Sequence, residues 1–277
     1  MTLTVAQKRA RFAEIHKGPG CFVIPNPWDV GSTKYLASLG FKALATTSAG
    51  AAFAAGLPDG GMTRKAVLAH IGDLVAATDL PFNADYEAGF ATTHEELHDS
   101  VVRCVATGVA GFSIEDYTGD SHAPFYGVKE AADRIRVARA AINASGERVL
   151  LTARSETVLR GHPDGLNEAL RRLTAYAEAG ADVLYAPGLR SAEDIAQVVR
   201  TAGPLPINVL AVAPGLTLAQ LEDIGVRRVS VGGSLARAAW AGLIHAAQDI
   251  AQHGRFDSLA QGAPFAALNK LFSGDPA

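Results

Sequence analysis

A (β/α)8 barrel is the fold this chain predicts, on three observations: eight short apolar runs, helical spacing between them, and a glycine closing four of the helical stretches. The runs are Cys21 to Pro25, Lys42 to Thr46, Pro81 to Asp85, Ala110 to Glu115, Val149 to Arg154, Asp182 to Ala186, Leu205 to Leu210 and Arg228 to Val231. All are short and largely apolar, and all except Pro81 to Asp85 carry β-branched residues, as buried strands commonly do. Between them, residues such as Leu97, Val101, Cys104 and Val105, or Leu166, Leu170, Leu173 and Ala177, recur at helical spacing. Gly40, Gly108, Gly180 and Gly225 each stand between such a stretch and the next run, where a left-handed residue ends the helix. Eight right-handed βα units close most economically into a barrel, with an open doubly wound sheet as the alternative.

Length and composition agree with one domain over residues 1–277. The chain is close to the ~250 residues usual for such barrels, and its 48% hydrophobic and 19% charged residues match an ordinary globular protein. With 25 Lys+Arg against 28 Asp+Glu and no basic block, no nucleic-acid partner is expected. Cys21 and Cys104 form no CxxC pair and read as packing residues. The stretch from Met1 to Gly18 lacks an apolar leader core and no long apolar span occurs, so a cytoplasmic protein without membrane contact is expected. Ser48 to Gly61, heavy in Ala and Gly, reads as a flexible loop, and Ser234 to His253 as a long helix. A further amphipathic helix over 256–272, with Phe265, Leu268 and Phe272 on its apolar side, exceeds what a barrel needs. It predicts a homodimer or homotetramer in which this helix packs on another subunit.

In a barrel the chemistry lies where strands end. The first run ends in Asn26-Pro27-Trp28-Asp29, the second in Thr47-Ser48-Ala49-Gly50, the third in Asp85-Tyr86-Glu87, the fourth in Glu115-Asp116, the fifth in Arg154-Ser155-Glu156 and the seventh in Asn208. Asp85 and Glu87, at i and i+2, share a face if the strand continues, and Glu115 approaches from the neighbouring strand. Crowded carboxylates call for a cation, and hard oxygen donors suit Mg²⁺ or Mn²⁺, with Asp59 a fourth donor from its loop. The competing account has Asp85 capping a helix, Glu87 and Asp116 solvated, and Glu115 paired with Arg154. The Arg154 guanidinium either holds a substrate carboxylate or serves that pair. Ser48, Ala49 and Gly50 offer backbone N–H groups to an oxyanion or form a tight turn. Trp28 is expected to wall the pocket and Asn208 to touch substrate. Gly232-Gly233-Ser234 is a phosphate cradle or a plain cap. The loop from Tyr117 to Gly127 carries His122, Asp120 and Tyr126, and is either a mobile lid with a proton-transfer group or an ordinary surface loop. Histidine, able to take and give a proton near neutral pH, is the favoured candidate.

Asn26-Pro27-Trp28-Asp29, the Thr47-Ser48-Ala49-Gly50 to Leu57-Pro58-Asp59-Gly60 stretch, Asp85-Tyr86-Glu87-Ala88-Gly89-Phe90, Gly111-Phe112-Ser113-Ile114-Glu115-Asp116 and Ala153-Arg154-Ser155-Glu156 together resemble the isocitrate lyase/phosphoenolpyruvate mutase superfamily. The resemblance implies a TIM-type (β/α)8 barrel with Mg²⁺ held largely through water by Asp59, Asp85, Glu87 and Glu115. It implies a 2-oxo or 2-hydroxy acid substrate recognised near Ser48, Ala49, Gly50 and Arg154, cleavage through an enolpyruvate species, and terminal helices exchanged between subunits. The sequence departs from the family in three places. Glu87 stands where Asp is usual, Ser155-Glu156 replaces Thr-Asp, and the loop after the fourth run reads Tyr117-Thr118-Gly119-Asp120-Ser121-His122 in place of the lyases' cysteine-bearing loop. Neither Lys nor Asn, usual in mutase loops, occurs between Tyr117 and Gly127. The expected activity is therefore a Mg²⁺-dependent C–C lyase with another loop chemistry. The alternatives are P–C chemistry on phosphonopyruvate, or a barrel that binds a 2-oxo acid without turnover.

Overall fold

Every one of the eight apolar runs carries a strand in the computed structural model, which describes residues 2–273. The chain begins with α1 (Val5–Lys17), then runs β1 (Phe22–Ile24), α2 (Val30–Ser38), β2 (Leu44–Ala45), α3 (Ser48–Ala54), α4 (Arg64–Ala76), β3 (Phe82–Asp85) and α5 (His94–Ala106). It continues with β4 (Gly111–Glu115), α6 (Val128–Ser145), β5 (Leu150–Arg154), α7 (Gly165–Glu178), β6 (Val183–Tyr185), α8 (Ala192–Ala202), β7 (Ile207–Leu210), α9 (Leu218–Ile224) and β8 (Arg228–Ser230). After α10 (Ser234–His253) come a 3-10 turn (Asp257–Gln261) and α11 (Phe265–Ser273). The strands pair in parallel in the order β1-β8-β7-β6-β5-β4-β3-β2. The seam between β1 and β2 is bridged by Ala45 N–H donating to the Pro25 carbonyl at 3.0 Å and by Asn26 Nδ2 donating to the Thr46 carbonyl at 2.8 Å. Gly40, Gly108, Gly180 and Gly225 all take positive φ, 81°, 89°, 98° and 97°, as the stop signals require.

The period of two along each strand decides what reaches the barrel mouth. In β4, Phe112 and Ile114 join the apolar layer against the helices, so Ser113 and Glu115 turn inward. In β5, Leu151 and Ala153 do the same, which turns Thr152 and Arg154 inward. Parallel register then sets Glu115 beside Arg154 and Arg154 beside Tyr185. In β3, Phe82 and Ala84 pack outward and Asn83 and Asp85 face in, with Asp85 in register with Ser113.

The lower barrel is closed by α1, which the sequence reading did not anticipate. Phe12 is fully buried, and a Cβ on Gly111 would lie 2.8 Å from its ring, so this strand glycine admits the plug. His16 Nδ1 donates to the Phe12 carbonyl at 2.8 Å, which leaves Nε2 to accept from Arg228 Nη1 at 3.3 Å. Arg228 is buried among neutral partners, donating also to Asn208 Oδ1 at 2.8 Å and Thr152 Oγ1 at 3.1 Å.

Three segments differ from expectation. Ser48 to Gly61 is no flexible loop at its start, because Thr47 accepts from Gly50 N–H and caps α3. Ser234 is not a side-chain cap: Gly233 holds the cap position of α10 without a side-chain bond, and the Ser234 amide donates to Val231 O. The single helix expected over 256–272 is two pieces, since Gly262 ends the 3-10 turn and Pro264, lacking an N–H, is confined to the start of a new helix. Residues 274–277, included in the expected single domain, lie outside the described residues. Among the described residues, no helix is long and apolar enough to cross a membrane.

Candidate active site

The carboxyl ends of β2 to β5 surround a cavity of about 760 Å³ whose wall includes Ser48, Asp59, Glu87, Glu115, Tyr117, Tyr126, Arg154 and Arg160. A narrower recess beneath it, inside the barrel, is lined by Asp85, Arg154, Tyr185, Asn208 and Arg228 among others. The proposed donors thus gather at one end of the barrel, with Arg154 common to both spaces.

Arg154 is the hub. Its Nη1 lies 3.3 Å from Asp85 Oδ1 and 3.4 Å from Glu115 Oε2, and its Nε donates to Glu156 Oε1 at 2.5 Å. Its guanidinium also stands over the Tyr185 ring, 5.3 Å from the centroid. Burial works against its charge, yet Glu156, Glu115 and Asp85 hold it well above the ordinary arginine value. Both accounts of Arg154 drawn from the sequence therefore meet here: it pairs with Glu115 and it faces the cavity. Asp85 caps no helix, the cap of α5 being Thr93. It accepts from Ser48 N–H at 3.0 Å and from Arg154. Ser48 Oγ in turn donates to Asp59 Oδ1 at 3.4 Å, tying the loop acid to the strand end.

Asp85 and Glu87 do not share a strand face as their i, i+2 spacing predicts, although both reach the site. β3 ends at Asp85, and Glu87 takes φ 48°, a left-handed conformation uncommon outside glycine. The turn is held by Gly89 N–H donating to Tyr86 O at 2.9 Å and by Glu115 N–H donating to Glu87 O at 3.0 Å. Gly89 itself has φ 85°, and a Cβ there would meet Leu97 at 2.3 Å. From α6, the buried Arg134 donates Nη2 to Ala88 O at 2.6 Å and Ala91 O at 2.9 Å, and its guanidinium lies 4.4 Å from the Tyr126 ring centroid. Strain in the Glu87 turn is thus held by a cation that also supports Tyr126.

Charge crowding shows in the acids. Burial, then Asp85 and Asp59, push the Glu87 carboxyl up to about 7 against the pull of Arg154. Burial raises Glu115 well above the carboxylate range; Arg154 opposes this, while Glu156, Asp85 and Glu87 add to it. One guanidinium does not neutralise the set, and hard oxygen donors of this kind fit a divalent cation such as Mg²⁺. Among the described residues no three His, Cys, Asp or Glu side chains converge on one direct coordination point.

Other expected residues are placed unevenly. Tyr126 lines the cavity, whereas His122 is exposed on a hairpin closed by the Tyr117–Phe125 bridge and is not part of the cavity wall. Trp28 packs beside Gly50 and is likewise outside that wall. Ala49 sits in the first turn of α3, between Ser48, whose amide is given to Asp85, and Gly50, whose amide is given to Thr47. Asn208 lies in the recess, bonded to Ser230 and Arg228. Asp116, expected to be solvated in one account, is buried and accepts from Glu156 N–H, Arg172 and Tyr176, which anchors the strand-five loop. Two residues were given no role from the sequence: Glu156, fully buried between Arg154 and Arg160, and Arg160 itself. The Ser155-Glu156 departure was their only signal.

The chain is similar to several known proteins. The phosphoenolpyruvate phosphomutase family model matches residues 12–251. A crystal structure of a "putative lyase/mutase" from Burkholderia cenocepacia J2315 is 43% identical, covers 98% of each chain and superposes with a TM-score of 0.94. The 2-methylisocitrate lyase of Bacillus subtilis (strain 168) is 28% identical over 79% of this chain and 73% of its own. A crystal structure of 2,3-dimethylmalate lyase, 24% identical over 98% of this chain and 95% of that one with a TM-score of 0.83, shares the fold. The chain belongs to the phosphoenolpyruvate phosphomutase family.

Proposed function

We propose that the chain is a Mg²⁺-dependent lyase that cleaves a C–C bond beside the 2-oxo or 2-hydroxy group of a small carboxylic acid. The observation that carries this reading is the gathering of Asp59, Asp85, Glu87 and Glu115 around Arg154 at the barrel mouth. These four acids would hold the cation, with Mn²⁺ an acceptable substitute. Bound there, the cation supplies a Lewis acid that stabilises negative charge developing on the substrate.

The chain's own groups do the rest. Arg154 fixes the directions of Asp85 and Glu115, and Ser48 N–H fixes Asp85 from the other side. With a 2-oxo substrate, cleavage leaves the electron pair of the broken bond on the 2-oxo acid fragment as an enolate; with a 2-hydroxy substrate the hydroxyl loses its proton as the 2-oxo group forms and the pair passes to the other fragment, and in either case the fragment that holds the pair must then gain a proton. Tyr126, in the cavity wall beside the Arg134 cation, is the candidate we assign to that transfer. His122 takes the role only if the hairpin folds inward over the cavity. The Ala49 amide would contact the acid end, Ser48 serving through its hold on Asp85, while Trp28, Gly50 and Asn208 would act from behind the wall.

A second reading is P–C bond chemistry on phosphonopyruvate, favoured by the description of the matching family model. The absence of Lys and Asn between Tyr117 and Gly127 speaks against it. Product analysis separates the two. Incubation of 2-oxo and 2-hydroxy diacids and of phosphonopyruvate with protein and Mg²⁺ should release pyruvate or a related 2-oxo acid with carbon dioxide, an aldehyde or an acid. Pyruvate with phosphate would establish a hydrolase. No turnover of any compound, with oxalate still bound, would leave a binding barrel.

A further inference from the structure

Glu156 does more than pair with Arg154. Its carboxylate, fully buried, takes Arg154 Nε on one oxygen at 2.5 Å and Arg160 Nε on the other at 3.2 Å. Two guanidinium groups thus share one negative charge. Arg154 spends Nη1 on Asp85 and Glu115, but Arg160 is engaged only through Nε and its face. Its guanidinium lies 4.0 Å from the Tyr117 ring centroid. Among the described residues, no carboxylate or carbonyl engages its Nη atoms. The side chain lines the cavity and is 39% exposed. Arg64, the other arginine of the cavity wall, is paired with Asp99.

A planar fork fixed by a buried acid on one edge and an aromatic ring on one face presents its remaining N–H groups in a set direction, which suits a bidentate anion. Glu156 is also what makes the arrangement possible. As a residue longer than aspartate, it reaches both arginines from the turn after β5.

We propose that Arg160 is a specificity-determining residue that receives a second carboxylate of the substrate, placed beyond the reacting carbon. The inference rests on the lyase reading above and narrows its substrate to diacids.

The test compares two probes by calorimetric titration in Mg²⁺: oxalate, which fills only the cation end, and 3,3-difluorooxaloacetate, which carries a further carboxylate. Arg160→Met should weaken the diacid by about 10- to 100-fold, the loss expected for a charge-assisted pair. Oxalate should bind Arg160→Met as it binds the wild type, and Arg160→Lys should recover part of the diacid affinity. Equal loss of both probes, or no loss of either, overturns the proposal while leaving the lyase reading in place. Loss confined to phosphonopyruvate, titrated in parallel, overturns the diacid assignment in favour of a phosphonate. If the wild type binds neither oxalate nor the diacid in Mg²⁺, the lyase reading fails and takes this one with it.

Discussion

Asp85 carries the account at the scale of single residues, because it joins Ser48, Arg154 and the cation end without supporting the apolar layer. Asp85→Ala should therefore abolish Mg²⁺-dependent turnover and oxalate binding while leaving thermal unfolding of the metal-free protein nearly unchanged. Normal oxalate affinity in the variant would remove it from the site. His16 yields a second prediction, on stability. Burial, reinforced by Arg228, holds its pKa down at about 3. The unfolded chain then binds a proton near pH 6.5 that the folded chain refuses, so stability is complete above 6.5 and is lost as pH falls toward 3. This one site contributes at most about 1.4 kcal/mol per pH unit across that window. Denaturant titrations at pH 7 and pH 4.5 should show a smaller drop in His16→Gln than in the wild type, and an identical drop would contradict the assignment. Residue identities at the strand ends were legible in the sequence because strand period and barrel topology together fix which side chains face the mouth. Arg160 was not, because it lies in a turn whose path no periodicity describes.

Elements were legible to the extent that burial dictated them. The eight strands and the glycine stops follow from apolar runs and left-handed positions. α1 escaped because charged residues break up its apolar face, yet Lys8, Arg9 and His16 are buried by spending their polar ends on backbone carbonyls and, for Arg9 and His16, also on Glu147 and Arg228 respectively. The strand-four hairpin was expected as a loop, and its short ladder depends on Tyr117 and Phe125 meeting across the turn. This element decides which group moves the proton. Once a substrate is known, Tyr126→Phe should lower kcat by about 10² or more with little change in KM. His122→Ala should leave kcat within a few-fold. A large fall in His122→Ala, with Tyr126→Phe active, would mean that the hairpin closes and that the proton comes from its tip.

On the scale of the whole molecule, the C-terminal helices pose the remaining question. α10 buries only Ala236 along 20 residues, while Trp240, Leu243 and Ile244 stay exposed. In α11, Phe265 is 81% exposed, and Phe272 reaches the chain's own α2 beside Gly31. Such an apolar surface is expected to be covered by a second copy, with α11 exchanged or docked, giving a homodimer or homotetramer. Sedimentation at micromolar concentration should return at least twice the 28.8 kDa of one chain, and a monomer would refute this. The proposed chemistry requires the four acids around Arg154 to form a cation-dependent site for a 2-oxo acid. Titration of oxalate into the full chain, with Mg²⁺ and again after its removal by a chelator, tests it most directly. Binding that requires Mg²⁺ is the predicted result. Oxalate bound equally well without the cation, or not bound in its presence, would contradict the account.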